Sequence, residues 1–110
     1  MNEHGRGGAR RHHKDLQLCR QVFDALSYAL AELDDPLIDE LRLASVVPAP
    51  SSARLLVTLI PSRDDIDSDA ALASLRVASD ELREEVAAEV TRKRAPELVF
   101  RIGTLDELQE

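Results

Sequence analysis

The stretch that most constrains this chain is Ala53-Arg54-Leu55-Leu56-Val57-Thr58-Leu59-Ile60, a nearly unbroken apolar run closed by Pro61. Its length and its proline boundary mark a strand. A strand has backbone N–H and C=O groups on both sides, so it demands partners. The sequence offers two. Leu41-Arg42-Leu43-Ala44-Ser45-Val46-Val47 reads as the preceding strand, joined through Pro48-Ala49-Pro50-Ser51-Ser52 as a hairpin. The two turn prolines cannot donate ladder hydrogen bonds, and this is not an Asn-Gly turn, so the register stays open. Glu97-Leu98-Val99-Phe100-Arg101-Ile102 alternates as a third strand, with Leu98, Phe100 and Ile102 inward and Gly103 closing it.

Between and before the strands the period changes. From Leu16 onward Cys19, Val22 and Phe23, Leu26, Leu30 and Leu33 recur every three or four residues, as on one face of a helix. Proline disfavours helical geometry at the residue before it, so that helix should end near Asp34-Asp35-Pro36. Asp67-Ser68-Asp69 supplies caps for a second helical stretch, whose stripe is Leu72, Leu75, Ala78, Leu82, Val86 and Val90. Ala95-Pro96 breaks it. The order is helix, strand, strand, long helix, strand, and the compact solution is α+β, with helices on one face of a three-stranded sheet. Leu75, Leu82, Val86, Leu98 and Phe100 are expected to share one core with Leu26, Leu30 and Val57.

Residues 1–13 hold three of the four glycines, three arginines and all three histidines, with almost nothing apolar. They are expected to form a flexible arm, followed by a domain over 14–103 and a short acidic tail over 104–110. No apolar segment is long enough to span a membrane, and the N-terminus lacks the apolar core of a secretory signal. The single cysteine, Cys19, cannot close an internal disulfide and fits a reducing compartment, so the cytoplasm is expected.

The net charge of −7 argues against a nucleic-acid binder, but the charge is unevenly spread. Residues 1–20 carry five basic and two acidic groups, residues 21–90 five basic and fifteen acidic, and residues 91–101 four basic and one acidic. Part of this pattern suits the helix dipole: Asp64, Asp65, Asp67 and Asp69 precede the second helix, and Arg92, Lys93 and Arg94 follow it. Catalysis is not expected. His4, His12 and His13 lie in the arm without a rigid shell, the spacing of a zinc site is missing, and no nucleophile elbow, P-loop or dinucleotide glycine pattern occurs. No metal or other cofactor is expected.

Taken together, the residues resemble the ribosome-binding factor A family over roughly 10–103. Asp35-Pro36 sits where that family has a Lys-Asp-Pro-Arg-Leu-like turn. Ala53-Arg54-Leu55-Leu56-Val57-Thr58-Leu59 is similar to its second strand. Leu75-Arg76-Val77-Ala78-Ser79-Asp80-Glu81-Leu82-Arg83, then Arg92-Lys93-Arg94-Ala95-Pro96-Glu97-Leu98-Val99-Phe100, follow its spacing of Ala-x-Gly, Leu/Ile-Arg, a basic run and Pro-Glu-Leu-x-Phe. The resemblance implies a type II KH-like fold with an interhelical kink at Ala78, Ser79 and Asp80. It also implies a non-catalytic role on the small (30S) ribosomal subunit and its 16S rRNA, in late maturation and rRNA processing. The chain departs from the family in three respects: Asp80 replaces the kink glycine, the hairpin connection is short and proline-rich, and the chain is more acidic.

With Phe23 and Phe100 on core faces there is no aromatic platform for bases, so RNA contact falls to cations on phosphates. The candidates are Arg6, Arg10, Arg11 and Lys14, then Arg76, Arg83, Arg92, Lys93, Arg94 and Arg101. Asp80 is expected to serve a nearby backbone amide at a bend, or else to face solvent in a straight helix. The competing reading is an acidic α+β interaction module that meets a basic partner, such as a ribosomal protein. Nothing in the sequence demands a dimer, and a monomer is expected.

Overall fold

The computed structural model describes residues 3–49, 53–90 and 94–106. Helix α1 (Glu3–Glu32) is followed by a single turn, α2 (Pro36–Asp39), and then by strands β1 (Leu41–Pro48) and β2 (Arg54–Pro61). Helices α3 (Ser68–Val77) and α4 (Ser79–Glu89) lead to β3 (Glu97–Ile102). The sheet order is β1-β2-β3, with β1 antiparallel and β3 parallel to the central β2. This is the α+β order expected, with α3 and α4 as the crossover that a parallel pair requires. Among the described residues no helix is long and apolar enough to cross a membrane.

Leu55, Val57 and Leu59 alternate inward from β2 and meet Val22, Leu26, Leu75, Leu82 and Val86 in one core, all fully buried. Leu98 is buried with them, while Leu30 and Phe100 are only partly covered. Phe100 lies on an outer strand, so the helices cover it from one side only. The α1 stripe also differs at its start. Leu16 is 54% exposed, and Leu18 takes the buried place.

The boundary expected at residue 13 is not an element boundary, because α1 begins at Glu3. Helix extension costs little once later turns are packed, and residues 9–15 contain no glycine or proline to stop it, although the first turns include the poor helix formers Gly5, Gly7 and Gly8. At its other end α1 stops at Glu32. Asp35 then caps the turn α2, its Oδ1 accepting from the N–H of Leu37 at 2.9 Å and of Ile38 at 3.3 Å.

Two irregularities matter later. Leu43 pairs with Leu59 but Ser45 with Thr58, which leaves Ala44 as a β-bulge. Leu41 and Leu43 pack on the core before the bulge and Val46 after it, so the inward face of β1 changes parity there. Secondly, the long second helix is broken at Ala78 (φ −87°, ψ 0°), which separates α3 from α4. The proline-rich turn at Pro50, Ser51 and Ser52 lies outside the described residues, and the hairpin closes on a hydrogen bond from Ala49 N–H to Arg54 C=O at 2.7 Å.

Candidate functional site: a cleft at the helix break

The break between α3 and α4 sets a cleft against the start of β3. Arg76, Ser79 and Arg83 fall on successive turns across the break, at spacings that keep them on one side. With Leu72, and with Glu97, Leu98, Val99 and Phe100 from β3, they line an open cleft of about 340 Å³. Arg54, at the start of β2, completes it. The parallel register sets Arg54 beside Glu97, and its Nε lies 3.3 Å from Glu97 Oε1. Both side chains are more than half exposed, so this pair is solvent-screened and orients the guanidinium more than it stabilises the fold.

The two helix starts differ in chemistry. Asp67, in extended conformation, caps α3 by accepting from Asp69 N–H at 3.0 Å and Ala70 N–H at 3.2 Å. Ala78 has no capping side chain and α4 has no side-chain cap, so its first-turn N–H groups lack the acceptor that Asp67 gives α3. Ser79 Oγ turns the other way and donates to the Arg76 carbonyl at 2.8 Å, satisfying an acceptor at the broken end of α3. Val77, the last residue of α3, is 88% exposed beside the break.

The bend expected over Ala78, Ser79 and Asp80 therefore turns at Ala78 alone, in the right-handed region. The expected role of Asp80 as a bend residue is corrected. Asp80 is exposed in the first turn of α4, where with Glu81 it faces the positive end of the helix dipole. A break that needs no positive φ needs no glycine, and this explains how the chain keeps its break with Asp80 where the family motif has glycine.

Of the cations read from the sequence, the structure brings Arg76 and Arg83 together. Arg94 is exposed just before β3. Arg101 is half-buried and points elsewhere, its Nη1 donating to Thr58 Oγ1 at 3.4 Å across the β2–β3 pair. Arg92 and Lys93 lie outside the described residues. Arg6, Arg10, Arg11 and Lys14 belong to the first turns of α1, and their side chains are likewise outside the described part. Sequence reasoning missed Arg54 because its place in the cleft follows from the β2–β3 register, which pairs residues more than forty positions apart. Phe100, expected in the core, offers part of its ring to the cleft floor.

No family model matches the chain. A curated protein, ribosome-binding factor A of Solibacter usitatus (strain Ellin6076), is 28% identical over 88 residues, which are 79% of this chain and 72% of that relative. The crystal structure of ribosome-binding factor A from Thermus thermophilus is similar at a TM-score of 0.67 and 27% identity. That likeness covers 78% of this chain and 92% of the other.

Proposed function

We propose that the chain, which shares the α+β fold of ribosome-binding factor A, is a member of that family and a non-catalytic ribosome maturation factor. Its target in this reading is the small (30S) subunit and its 16S rRNA, during late assembly and rRNA processing. The observation that carries the proposal is the convergence of Arg54, Arg76 and Arg83 on one cleft, in a segment that is otherwise strongly acidic. Three guanidiniums around an uncapped helix start suit phosphate oxygens, which accept charge-assisted hydrogen bonds in fork geometry. Arg92, Lys93 and Arg94 extend the same basic segment in sequence, and Arg6, Arg10, Arg11 and Lys14 add to it from α1. The cleft is complete within one chain, so one copy suffices for the subunit. Ribosomes place the work in the cytoplasm.

Val77 supports the same reading. A nearly bare aliphatic side chain at the helix break can pack on an unstacked base or a ribose while the arginines hold the backbone. A second reading draws on α4, where Glu81, Glu84, Glu85 and Glu89 are all exposed. This acidic helix suits a basic ribosomal protein next to the rRNA.

The test is co-sedimentation of the chain with purified small and large subunits across a salt series. Binding to small subunits alone is expected, and neutralising three phosphates sets a slope of roughly −2 to −3 in log affinity against log salt. Equal binding to both subunits, or binding indifferent to salt, would overturn the proposal. Capture by a basic ribosomal protein without rRNA would favour the acidic-module reading.

A further inference from the structure

At the opposite side of the sheet from the arginine cleft, β1 is an outer strand, with an edge that no other described strand pairs, and α1 runs alongside it. Two open clefts meet there. One, of about 680 Å³, is lined by Leu16, Arg20, Phe23, Asp24 and Val46 among others. The other, of about 630 Å³, includes Phe23, Ser27, Leu30, Ala31, Leu41 and Leu43, with the exposed Asp39 and Arg42 as a second balanced pair of charges. Phe23 belongs to both, so the two form one trough. Residue numbers rise along α1 as they fall along β1.

We propose that a second copy of this chain occupies the trough, with β1 antiparallel to β1 about a two-fold axis near Ala44 and Ser45, extending the sheet to six strands. Three observations select this occupant. The first is charge. Arg20 and Asp24 are both exposed, one helical turn apart and close to Phe23 at the centre. A two-fold operation reverses the direction of α1, so Arg20 of each copy faces Asp24 of the other, and a single chain supplies both halves of two ion pairs. The second is shape. Leu16 stands exposed at one end of the trough, and the small side chains of Ser27 and Ala31 line the other. The same operation exchanges these ends and sets each Leu16 over the hollow of the other copy.

The third is register. Pairing Leu43 with Val46 of the other copy, and Arg42 with its Val47, joins inward to inward and outward to outward side chains. Leu43 and Val46 pack on the core, whereas Arg42 and Val47 are exposed. In a regular strand this register would oppose the two faces; the Ala44 bulge shifts the parity and permits it. Val47, 44% exposed in the single chain, is then covered. The arrangement leaves the cleft at β3 open, so it is independent of ribosome binding.

Sedimentation velocity of the full chain, from micromolar to millimolar concentration, tests the proposal, with circular dichroism reporting the fold of each variant. The wild type is expected to move to twice the monomer mass as concentration rises. Arg20→Asp and Asp24→Arg each place like charges across the axis and should raise the dissociation constant about tenfold or more. The double variant restores both pairs and should dimerise like the wild type. Val47→Glu, on the other face of the strand, should weaken the dimer without touching the helix pairs. A wild type that stays monomeric throughout would overturn the proposal, as would single reversals that dimerise normally or a folded double variant that does not recover.

Discussion

The two edges of one small sheet are finished in opposite ways. At β3, the broken crossover helix sets Arg76 and Arg83 beside Arg54 over a cleft of about 340 Å³. At β1, an unbroken helix offers Arg20 and Asp24 in balance along a trough whose two lobes are each about twice that size. An exposed edge is a liability unless it is covered, charged or paired. The β3 edge is flanked by an excess of cations, whereas the β1 edge meets a trough of mixed lining in which Arg20 and Arg42 are balanced by Asp24 and Asp39. The lesson is local: a net charge of −7 does not decide the sign of any one face, because the helix lying against each edge does.

The largest expected effect removes what both edges share. Leu82 is fully buried under the break, and Leu82→Ala should cost about 2–5 kcal/mol, much of a small domain's stability. Thermal unfolding should show it, and both subunit binding and self-association should fall with the folded fraction. A Tm within a degree of the wild type would remove Leu82 from the core.

A variant that separates the edges comes next. Arg76→Ala and Arg83→Ala should each weaken small-subunit binding about tenfold, the scale of one charge-assisted hydrogen bond. Each should also flatten the salt slope by about one unit and leave sedimentation of the free protein unchanged. If either variant alters self-association but not subunit binding, the roles assigned to the two edges are reversed.

The two helix starts give a smaller contrast. Asp67→Ala removes a working cap and should lower stability by about 1 kcal/mol. The reciprocal change, Ala78→Asp, should gain far less, because ψ near 0° at Ala78 is not the extended geometry from which a side chain reaches the next amides. Equal and opposite shifts in unfolding midpoint would contradict this conformation at the break.

The smallest effect sits at Asp80. In the first turn of α4 its carboxylate favours the dipole by about 0.3–1 kcal/mol, so Asp80→Ala should be mildly destabilising. Asp80→Gly should be worse than Ala by about 1 kcal/mol, the order expected for a helical residue and the reverse of that for a positive-φ bend. Asp80→Lys should lose helix stability yet tighten subunit binding at low salt, an advantage that fades as salt screens it. Chemical denaturation and the salt series measure the two halves separately.

The chain's own pattern determined the elements and most of the core. Strict alternation marked β3 from Glu97 to Ile102, the apolar run with its closing proline marked β2, and Asp67 marked the start of α3. These signals act within a few residues, which is why they could be read locally. The turn α2 escaped because four residues hold no period, although Asp35 before Pro36 carried its cap. The tertiary structure alone decided the rest. It set the break at Ala78, placed the bulge at Ala44 and brought Arg54 beside Glu97 in the cleft. Each of these depends on contacts or registers between segments far apart in sequence. Local propensity is silent there, and packing against a neighbour chooses among conformations of nearly equal energy.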